Sequence, residues 1–319
     1  MERILQKLNQ FINGPEISIF HHFQKPPYGG GNQFLMALTK ELKYRGFSVG
    51  SNSIGKNTKV VLFNSFEFDK NKLERLHKKY QPRMVQRLAG PIGTYRGTDI
   101  EIDKEIWTWN GKFADATIFI SDYSYKKYLE LGLVYKEPHT ILNAPDPDIF
   151  HRNGRIPPTN GKRKIKLIAT AWSNNPKKGG PLLSWLDEHL DHSKYELTFV
   201  GRTNSQFKIA NLIQPVPSEE LSNILREHDI YIAPSQDDPC SNALVEALTC
   251  GLPTVFLKSG GHPELVKEGG EGFTGENDIL ISIDKVAKNY LSYQSKISNP
   301  TLKETVDKYI EVLLPKNEH

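Results

Sequence analysis

The residues best suited to chemistry lie in one stretch of the second half of the chain. It runs from position 234 to position 253 with the sequence PSQDDPCSNALVEALTCGLP. The acids Asp238 and Glu246 stand on either side of Ser241 and Asn242, which are favoured residues at a helix N-terminus. The first N–H groups of a helix bind phosphate oxygens, and carboxylates accept hydrogen bonds from hydroxyl groups. The pattern favours a nucleotide diphosphate with hydroxyl groups on both sides, although an ordinary strand–loop–helix with surface acids fits the spacing equally well.

Two other loops carry groups that suit a phosphate. Lys178 lies in the loop TAWSNNPKKGG after a candidate strand, and an ammonium group neutralises phosphate as a compact point charge. The triplet Gly29-Gly30-Gly31 stands between a short apolar strand and a helical pattern. Glycines let a ligand approach the backbone, and the start of the helix favours an anion. Both loops have an ordinary alternative, which is a surface lysine in a turn or a flexible connection.

Strands and helices alternate in both halves of the chain. The strand candidates are Ile17–Phe20, Val60–Phe63, Arg83–Gln86, Ala116–Ile120, Lys166–Ala169, Glu196–Val200, Ile230–Ala233 and Thr254–Leu257. The helix candidates include residues 32–46, Pro181–Leu190, Ser218–Glu227 and Ser241–Cys250. This alternation predicts an α/β protein with two Rossmann-like, doubly wound parallel-sheet domains facing a cleft. Ligands of such sheets bind at the carboxyl ends of the strands.

The segment 152–164, RNGRIPPTNGKRK, is rich in Pro, Gly and charge and has no apolar periodicity. It predicts a linker between an N-terminal domain, residues 1–151, and a C-terminal domain, residues 165–300. A chain of 319 residues is the right length for two domains.

The composition argues against several classes of protein. Hydrophobic residues make up 38% and charged residues 24%, and the net charge of +4 is too small for a typical nucleic-acid binder. No apolar run reaches the roughly 18 residues of a membrane span, and we see no secretory signal. The basic run at 162–164 allows at most peripheral contact with an anionic membrane. Two cysteines, Cys240 and Cys250, fit a reducing cytoplasm, and no closely spaced His/Cys set indicates a metal.

The stretch from 234 to 253 resembles the signature of the retaining family-4 glycosyltransferases, which have the GT-B fold. In that signature two acids flank seven residues before a Gly-x-Pro ending, as Asp238 and Glu246 do here. The family usually has Glu at the first position, where this chain has the shorter Asp238. The resemblance implies that Asp238 lies near the donor sugar and that Glu246 binds the ribose hydroxyl groups.

Other segments resemble the same family in the same order. They are Ser259–Val266 with Gly269–Phe273, Ile141–Asp146 with Phe150, and Val200–Arg202. The resemblance implies that Lys178 faces the donor diphosphate. Ser173 or Trp172 stands where the family has an arginine, and Arg202 or Lys177 compensates for the lost charge. The expected donor-binding set is Gly31, Ser173, Lys178, Arg202, Asp238, Ser241, Asn242, Ala243 and Glu246, with Asp238, Lys178 and Gly30 at the reacting atoms.

The first half of the chain resembles the family less. Its segment QRLAGPIGTYRG, positions 86–97, mixes glycines, arginines and an aromatic residue. Arg87, Tyr95 and Arg96 line the acceptor side in one interpretation, and the segment is a long structural loop in the other. The resemblance also implies a C-terminal helix within 301–319 that packs back on the N-terminal domain.

The expected function is transfer of a sugar from a nucleotide-diphosphate-sugar to a saccharide, lipid-linked or other acceptor, with retention of anomeric configuration. The resemblance implies a metal-independent hexosyltransferase without a cofactor, because lysine and helix ends take the place of a divalent cation. The alternatives are a nucleotide-sugar epimerase on the same fold and a non-catalytic nucleotide- or sugar-binding protein.

Overall fold

The computed structural model describes residues 13–25, 29–158 and 163–315. Contacts between Cα atoms divide the chain into unit 1, residues 1–24, 35–142 and 302–319, and unit 2, residues 25–34 and 143–301. The chain therefore passes from unit 1 to unit 2 after Leu142, ahead of the segment 152–164. Positions 159–162 of that segment and the lysine of its basic run at 162 lie outside the described residues.

Unit 1 is built on a six-stranded parallel sheet with the order β2-β1-β3-β4-β5-β6. Its strands are β1 (Ile17–Phe20), β2 (Val49–Ser51), β3 (Val60–Phe63), β4 (Arg83–Leu88), β5 (Ala116–Phe119) and β6 (Pro138–Thr140). Its helices are α1 (Gly30–Tyr44), α2 (Lys70–Tyr80), α3 (Ile92–Arg96), α4 (Ile100–Phe113) and α5 (Asp122–Glu130). The first turn of α1 is grouped with unit 2.

The central strands of unit 1 are buried along their whole length, as expected of a parallel sheet covered on both faces. One apolar cluster includes Phe63 and Leu73, and another includes Phe119 and Tyr128. The C-terminal helix α12 (Leu302–Leu313) belongs to unit 1 and contacts β3 and β4.

Unit 2 repeats the architecture with a six-stranded parallel sheet in the order β12-β11-β10-β7-β8-β9. Its strands are β7 (Ile165–Ala171), β8 (Tyr195–Gly201), β9 (Asn211–Ile213), β10 (Ile230–Ala233), β11 (Thr254–Leu257) and β12 (Gly270–Phe273). Its helices are α6 (Gly180–His189), α7 (Ser218–Arg226), α8 (Asn242–Thr249), α9 (His262–Val266), α10 (Glu276–Lys288) and α11 (Tyr290–Ser295). Two Rossmann-like parallel sheets with helices confirm the predicted fold class.

The four strands that the sequence pattern did not predict are β2, β6, β9 and β12, and each lies at an edge of its sheet. They have only three or four residues, and an edge strand pairs on one side only. Most of their residues are not buried, so no run of apolar residues marks them. Across the described part of the chain, no helix combines the length and the apolar character that a membrane span requires.

Candidate functional site

Unit 2 contains a cavity of about 210 Å³ at the carboxyl ends of β7, β8 and β10. Polar groups lining it include Gln33, Lys178, Ser235, Asp238, Ser241, Asn242 and Glu246. Apolar groups lining it include Trp172, Val200, Pro215, Val216 and Leu221. Its position follows the rule that open α/β sheets bind ligands beyond the carboxyl ends of their strands.

Lys178 and Asp238 form an ion pair in the wall of this cavity. Lys178 ends a short 3₁₀ turn, Pro176–Lys178, that follows β7, and Asp238 lies in the loop between β10 and α8. The Lys178 Nζ lies 2.7 Å from the Asp238 Oδ2. Burial alone would raise the pKa of the Asp238 carboxyl, but the Lys178 ammonium and the Cys240 N–H lower it below its ordinary value. Asp238 is therefore an ionised acceptor at neutral pH.

A second ion pair joins the same two loops. The Lys177 Nζ lies 2.9 Å from the Asp237 Oδ2, and the Gln236 N–H donates to the Lys177 carbonyl at 2.7 Å. The Asp237 N–H donates to the Ser259 hydroxyl at 2.9 Å. Asp237 has a φ of 53°, in the left-handed region, and these contacts hold it there. The loop after β10 is therefore fixed immediately before Asp238, the residue that meets Lys178.

The Ser259–Val266 run packs directly on the Asp238 loop. Gly260 has a φ of 64°, and a Cβ at this position would lie 2.3 Å from the Asp238 carbonyl oxygen. The Gly261 N–H donates to the same oxygen at 2.9 Å. Only glycine fits at position 260, because any side chain would collide with the backbone that carries Asp238.

Glu246 lies in the second turn of α8 and lines the cavity. Leu244 and Leu248, on the other face of this helix, are buried. Among the described residues no Lys, Arg or His nitrogen lies within 4.0 Å of the Glu246 carboxylate. Burial raises its pKa to about 8. Glu246 is thus a carboxyl group with no cationic partner in the part of the chain that the structure describes, and it lies where hydroxyl groups of a ligand can bind.

The N-terminus of α8 faces the same cavity. Ser241 is its N-cap, and the Ser241 hydroxyl accepts from the Leu244 N–H at 3.4 Å. The Asn242 side chain accepts from the Asn143 amide at 3.1 Å. A Cβ on Gly30 would lie 2.5 Å from the Asn242 Cβ, so the first residue of α1 approaches α8 as only glycine can. The N–H groups of the first helical turn have no partner within the helix and suit phosphate oxygens.

Most of the donor-binding residues predicted from the sequence line this cavity, but three do not. Ser173 and Arg202 line a neighbouring cavity of about 110 Å³, which Lys178 also lines. The Arg202 guanidinium lies over the Trp172 ring, 5.2 Å from its centroid. Gly31 lines neither cavity, because α1 begins at Gly30 and the glycines form its first turn.

Several lining residues gave no signal in the sequence. The Tyr231 hydroxyl lies 3.0 Å from the Thr170 hydroxyl beneath the cavity, and both belong to strands whose apolar character suggested only a core. Pro215 and Val216 precede α7 and belong to no motif. Ser235 pairs with His262, which is distant in the sequence, so only the fold brings the two together.

The residues predicted for the acceptor side belong to unit 1. Arg87 is only 2% exposed, and its guanidinium donates to the Tyr309 hydroxyl and the Asn64 side chain, both at 3.2 Å. The Arg96 guanidinium lies 5.4 Å from the Phe66 ring centroid and 5.9 Å from that of Tyr95. Arg87 is thus part of a buried hydrogen-bond network, and Arg96 covers an aromatic pair. Within the described ranges, no three His, Cys, Asp or Glu side chains are grouped as metal ligands.

Comparison with known proteins matches the second half of the chain to a family model. Residues 165–295 match the family model described as glycosyl transferases group 1. Over 138 residues the chain is 26% identical to the sulfoquinovosyl transferase SQD2 of Arabidopsis thaliana, an alignment that covers 41% of this chain and 27% of that protein. The aligned stretch is therefore about a quarter of the length of this curated relative.

Solved structures match nearly the whole chain. The structure of HepE from Anabaena in complex with UDP and glucose aligns with a TM-score of 0.71 and 14% identity, over 95% of this chain and 100% of that one. The catalytic domain of starch synthase IV from Arabidopsis thaliana, bound to ADP and acarbose, aligns with a TM-score of 0.72 and 11% identity, over 94% and 98% of the chains. Residues 165–295 therefore match the glycosyl transferases group 1 family, and the chain has the GT-B fold of these solved structures.

Proposed function

We propose that the protein is a glycosyltransferase that moves a sugar from a nucleotide-diphosphate-sugar to an acceptor. The observation that carries the proposal is the cavity in unit 2 where Lys178, Asp238, Glu246 and the start of α8 meet. The ligands bound in the two structural relatives, UDP with glucose and ADP with acarbose, are a nucleotide and a saccharide in each case. The cavity offers complementary groups for both parts of such a pair.

Glu246 binds the ribose in this proposal. Its carboxyl group forms hydrogen bonds with the two neighbouring hydroxyl groups, and no described cation competes for its oxygens. Pro215, Val216 and Leu221 supply an apolar surface in the same cavity for the base. This arrangement specifies a nucleoside more strongly than it specifies one base.

Lys178 and the N-terminus of α8 bind the diphosphate. The Lys178 ammonium supplies a point charge, and the N–H groups of Asn242 and Ala243 supply hydrogen bonds with the positive end of the helix dipole. Gly30 brings backbone to the same place. Ser173 and Arg202 add a hydroxyl group and a positive charge in the neighbouring cavity, which Lys178 also lines.

Asp238 lies at the sugar end and accepts hydroxyl hydrogens while Lys178 keeps it ionised. We propose that the anomeric configuration is retained without a protein nucleophile. The bond from the anomeric carbon to the diphosphate breaks as the acceptor oxygen bonds to the same face, and the acceptor proton leaves with the diphosphate. Catalysis then comes from orientation and from stabilisation of the leaving diphosphate by Lys178 and the helix end, without a divalent cation or other cofactor.

Unit 1 binds the acceptor, a saccharide or a lipid-linked or other hydroxyl compound. Tyr95 and Arg96 offer an aromatic and a cationic surface, and Arg87 supports the sheet edge beside them. We place the reaction in the cytoplasm, with at most peripheral contact with a membrane, because the sequence has only two cysteines, Cys240 and Cys250, which are too few for a disulfide framework.

A ligand panel tests the donor site. The melting temperature of the protein is measured with UDP, GDP, ADP and CMP and with their sugar conjugates, with and without EDTA. We expect one nucleotide diphosphate and its sugar conjugate to stabilise the wild type in both conditions. Glu246→Ala should abolish the shift, and Glu227→Ala, which removes an exposed carboxylate of α7's C-cap, should not. A shift that survives Glu246→Ala would show that the donor binds elsewhere.

Turnover separates the proposed reaction from an epimerase. The stabilising donor is incubated alone and then with a panel of saccharide and lipid-linked acceptors. A transferase consumes the donor in an acceptor-dependent manner, whereas conversion of the donor sugar to its epimer without acceptor would contradict the proposal.

A further inference from the structure

His262 is a buried histidine beside the cavity whose hydrogen bonds fix its protonation. It begins α9 and has no exposed surface. Its Nδ1 lies 3.0 Å from the Leu257 carbonyl oxygen, and its Nε2 lies 3.0 Å from the Ser235 hydroxyl oxygen. A carbonyl oxygen only accepts hydrogen bonds, so Nδ1 must carry the proton.

The direction of the second hydrogen bond follows from the first. Burial lowers the pKa of the His262 imidazole, although Asp238 opposes this, so the ring is neutral at neutral pH and carries one proton. Nε2 is then an acceptor, and the Ser235 hydroxyl must donate to it. The hydroxyl hydrogen of Ser235 therefore points toward His262, and the oxygen retains only lone pairs for any other partner.

Ser235 lines the cavity in the loop that also carries Asp238. His262, Asp238 and Lys178 interact electrostatically, which places Ser235 at the end of the cavity that holds this ion pair. A serine at such a place would ordinarily be expected to donate to a phosphate oxygen. With its hydrogen committed to His262 it offers the ligand only an acceptor, and a phosphate oxygen cannot use one.

We propose that Ser235 is a specificity-determining residue that His262 holds as an acceptor for a hydroxyl hydrogen of the donor sugar. The inference rests on the proposed function, because it names the group that the cavity recognises next to the diphosphate. His262 is a positioning residue that acts through Ser235 and does not touch the ligand. Together with the ionised Asp238, Ser235 makes this end of the cavity a surface of acceptors for a polyhydroxylated sugar.

The test compares each nucleotide with its own sugar conjugate. Dissociation constants are measured by calorimetry for UDP and UDP-glucose, ADP and ADP-glucose, and GDP and GDP-mannose, and the pair that binds the wild type is carried forward. Ser235→Ala should weaken the conjugate about three- to ten-fold, the effect of one lost hydrogen bond, and leave the nucleotide unchanged. Ser218→Ala, in the same cavity beside Pro215 and Val216, should change both constants by the same factor.

Two substitutions of His262 test the positioning role. Gln presents an amide oxygen that accepts a hydrogen bond from Ser235. His262→Gln should therefore retain the wild-type preference for the sugar conjugate over the nucleotide. His262→Leu frees the Ser235 hydrogen and should lose that preference without weakening the nucleotide. A Ser235→Ala variant that weakens nucleotide and conjugate equally, or a His262→Gln variant no better than Ser235→Ala, would overturn the inference. A wild type that binds none of the pairs would overturn the proposed function and this inference with it.

Discussion

Units 1 and 2 each contain a six-stranded parallel sheet, but the polar residues at the carboxyl ends of the strands have different partners in the two units. In unit 1 the residues after β1, β2 and β3 bond to one another. Asn52 exchanges hydrogen bonds with the backbone of His21 at 3.1 and 2.8 Å, and Asn64 lies 3.3 Å from the His21 ring. Arg87 bonds to Asn64 and to Tyr309 of α12.

In unit 2 the corresponding loops present charged groups to a cavity. Lys178 and Asp238 neutralise each other, but Glu246 has no described cation beside it and is buried enough to raise its pKa to about 8. A buried carboxyl with a raised pKa and no described cation beside it lowers the stability of the fold. The hydrogen-bond network around Arg87, in contrast, contributes to stability. The contrast supports a structural role for the edge of unit 1 near Arg87 and the proposed ligand-binding role for the edge of unit 2.

The largest effect should come from Lys178. If it stabilises the leaving diphosphate, Lys178→Ala should lower kcat/KM for the donor by about 10²–10³-fold. Lys177→Ala is the matched control, because it removes a lysine of the same 3₁₀ turn that lines neither cavity. Donor-dependent turnover measures both variants. Equal losses in the two variants would assign the effect to the loop and not to the charge at position 178.

Arg87→Met should affect stability and not donor binding. The substitution removes the buried guanidinium that donates to the Tyr309 hydroxyl and to the partly buried Asn64 side chain, so we expect the free energy of unfolding to fall by about 2–4 kcal/mol. Urea denaturation measures this change, and calorimetry with the donor nucleotide checks that its affinity is unchanged. A variant of normal stability that has lost transfer to the acceptor would make the unit 1 edge a binding site and remove the contrast.

Glu246→Ala should weaken nucleotide binding by about 10–100-fold, because it removes the hydrogen bonds between the Glu246 carboxyl group and the ribose hydroxyl groups. The corresponding deoxynucleotides sharpen the test, because a ligand that lacks one of these hydroxyl groups should lose less affinity on substitution than the ribonucleotide does. Calorimetry at one pH gives both numbers. Equal losses for both ligands would argue that Glu246 supports the helix and does not contact the ribose.

A smaller effect should appear in the pH dependence of stability. The pKa of Glu246 is raised from 4.5 to about 8, so between these values the folded protein holds a proton that the unfolded chain has released. The free energy of unfolding should therefore fall as pH rises through this window. Relative to Glu246→Gln, which does not titrate, we expect the wild type to lose about 1–3 kcal/mol between pH 5 and 8.5. Denaturation curves that stay parallel across this range would contradict the assigned environment.

The central part of each sheet was predictable from sequence because its strands are continuous apolar runs. The helix predicted at Ser241–Cys250 and found at Asn242–Thr249, with Ser241 as its N-cap, shows how well caps and periodicity mark the boundaries. Edge strands such as β9 escaped because they are short and half-exposed.

The candidate site likewise has residues that the local sequence predicts and contacts that arise only when the chain folds. Lys178, Asp238 and Glu246 belong to loops and a helix whose local sequence suggests phosphate and hydroxyl recognition, and all three line the cavity. The Ser235–His262 hydrogen bond was not predictable, because it depends on how two loops pack after folding. Local sequence carries the chemistry of single residues, whereas the direction of a buried hydrogen bond depends on tertiary contacts.

Gly260 has a consequence for the way other sequences are interpreted. A Cβ at this position would lie 2.3 Å from the Asp238 carbonyl oxygen. The glycine is therefore required because two backbones pass close to each other, and not because of any ligand group. A search for this Gly-Gly run in uncharacterised chains would find proteins that share the loop crossing, whatever sugar they use. The positions that would distinguish such chains by their donor are those whose side chains lie at or beside the cavity, which here are Ser235, Asp238 and His262.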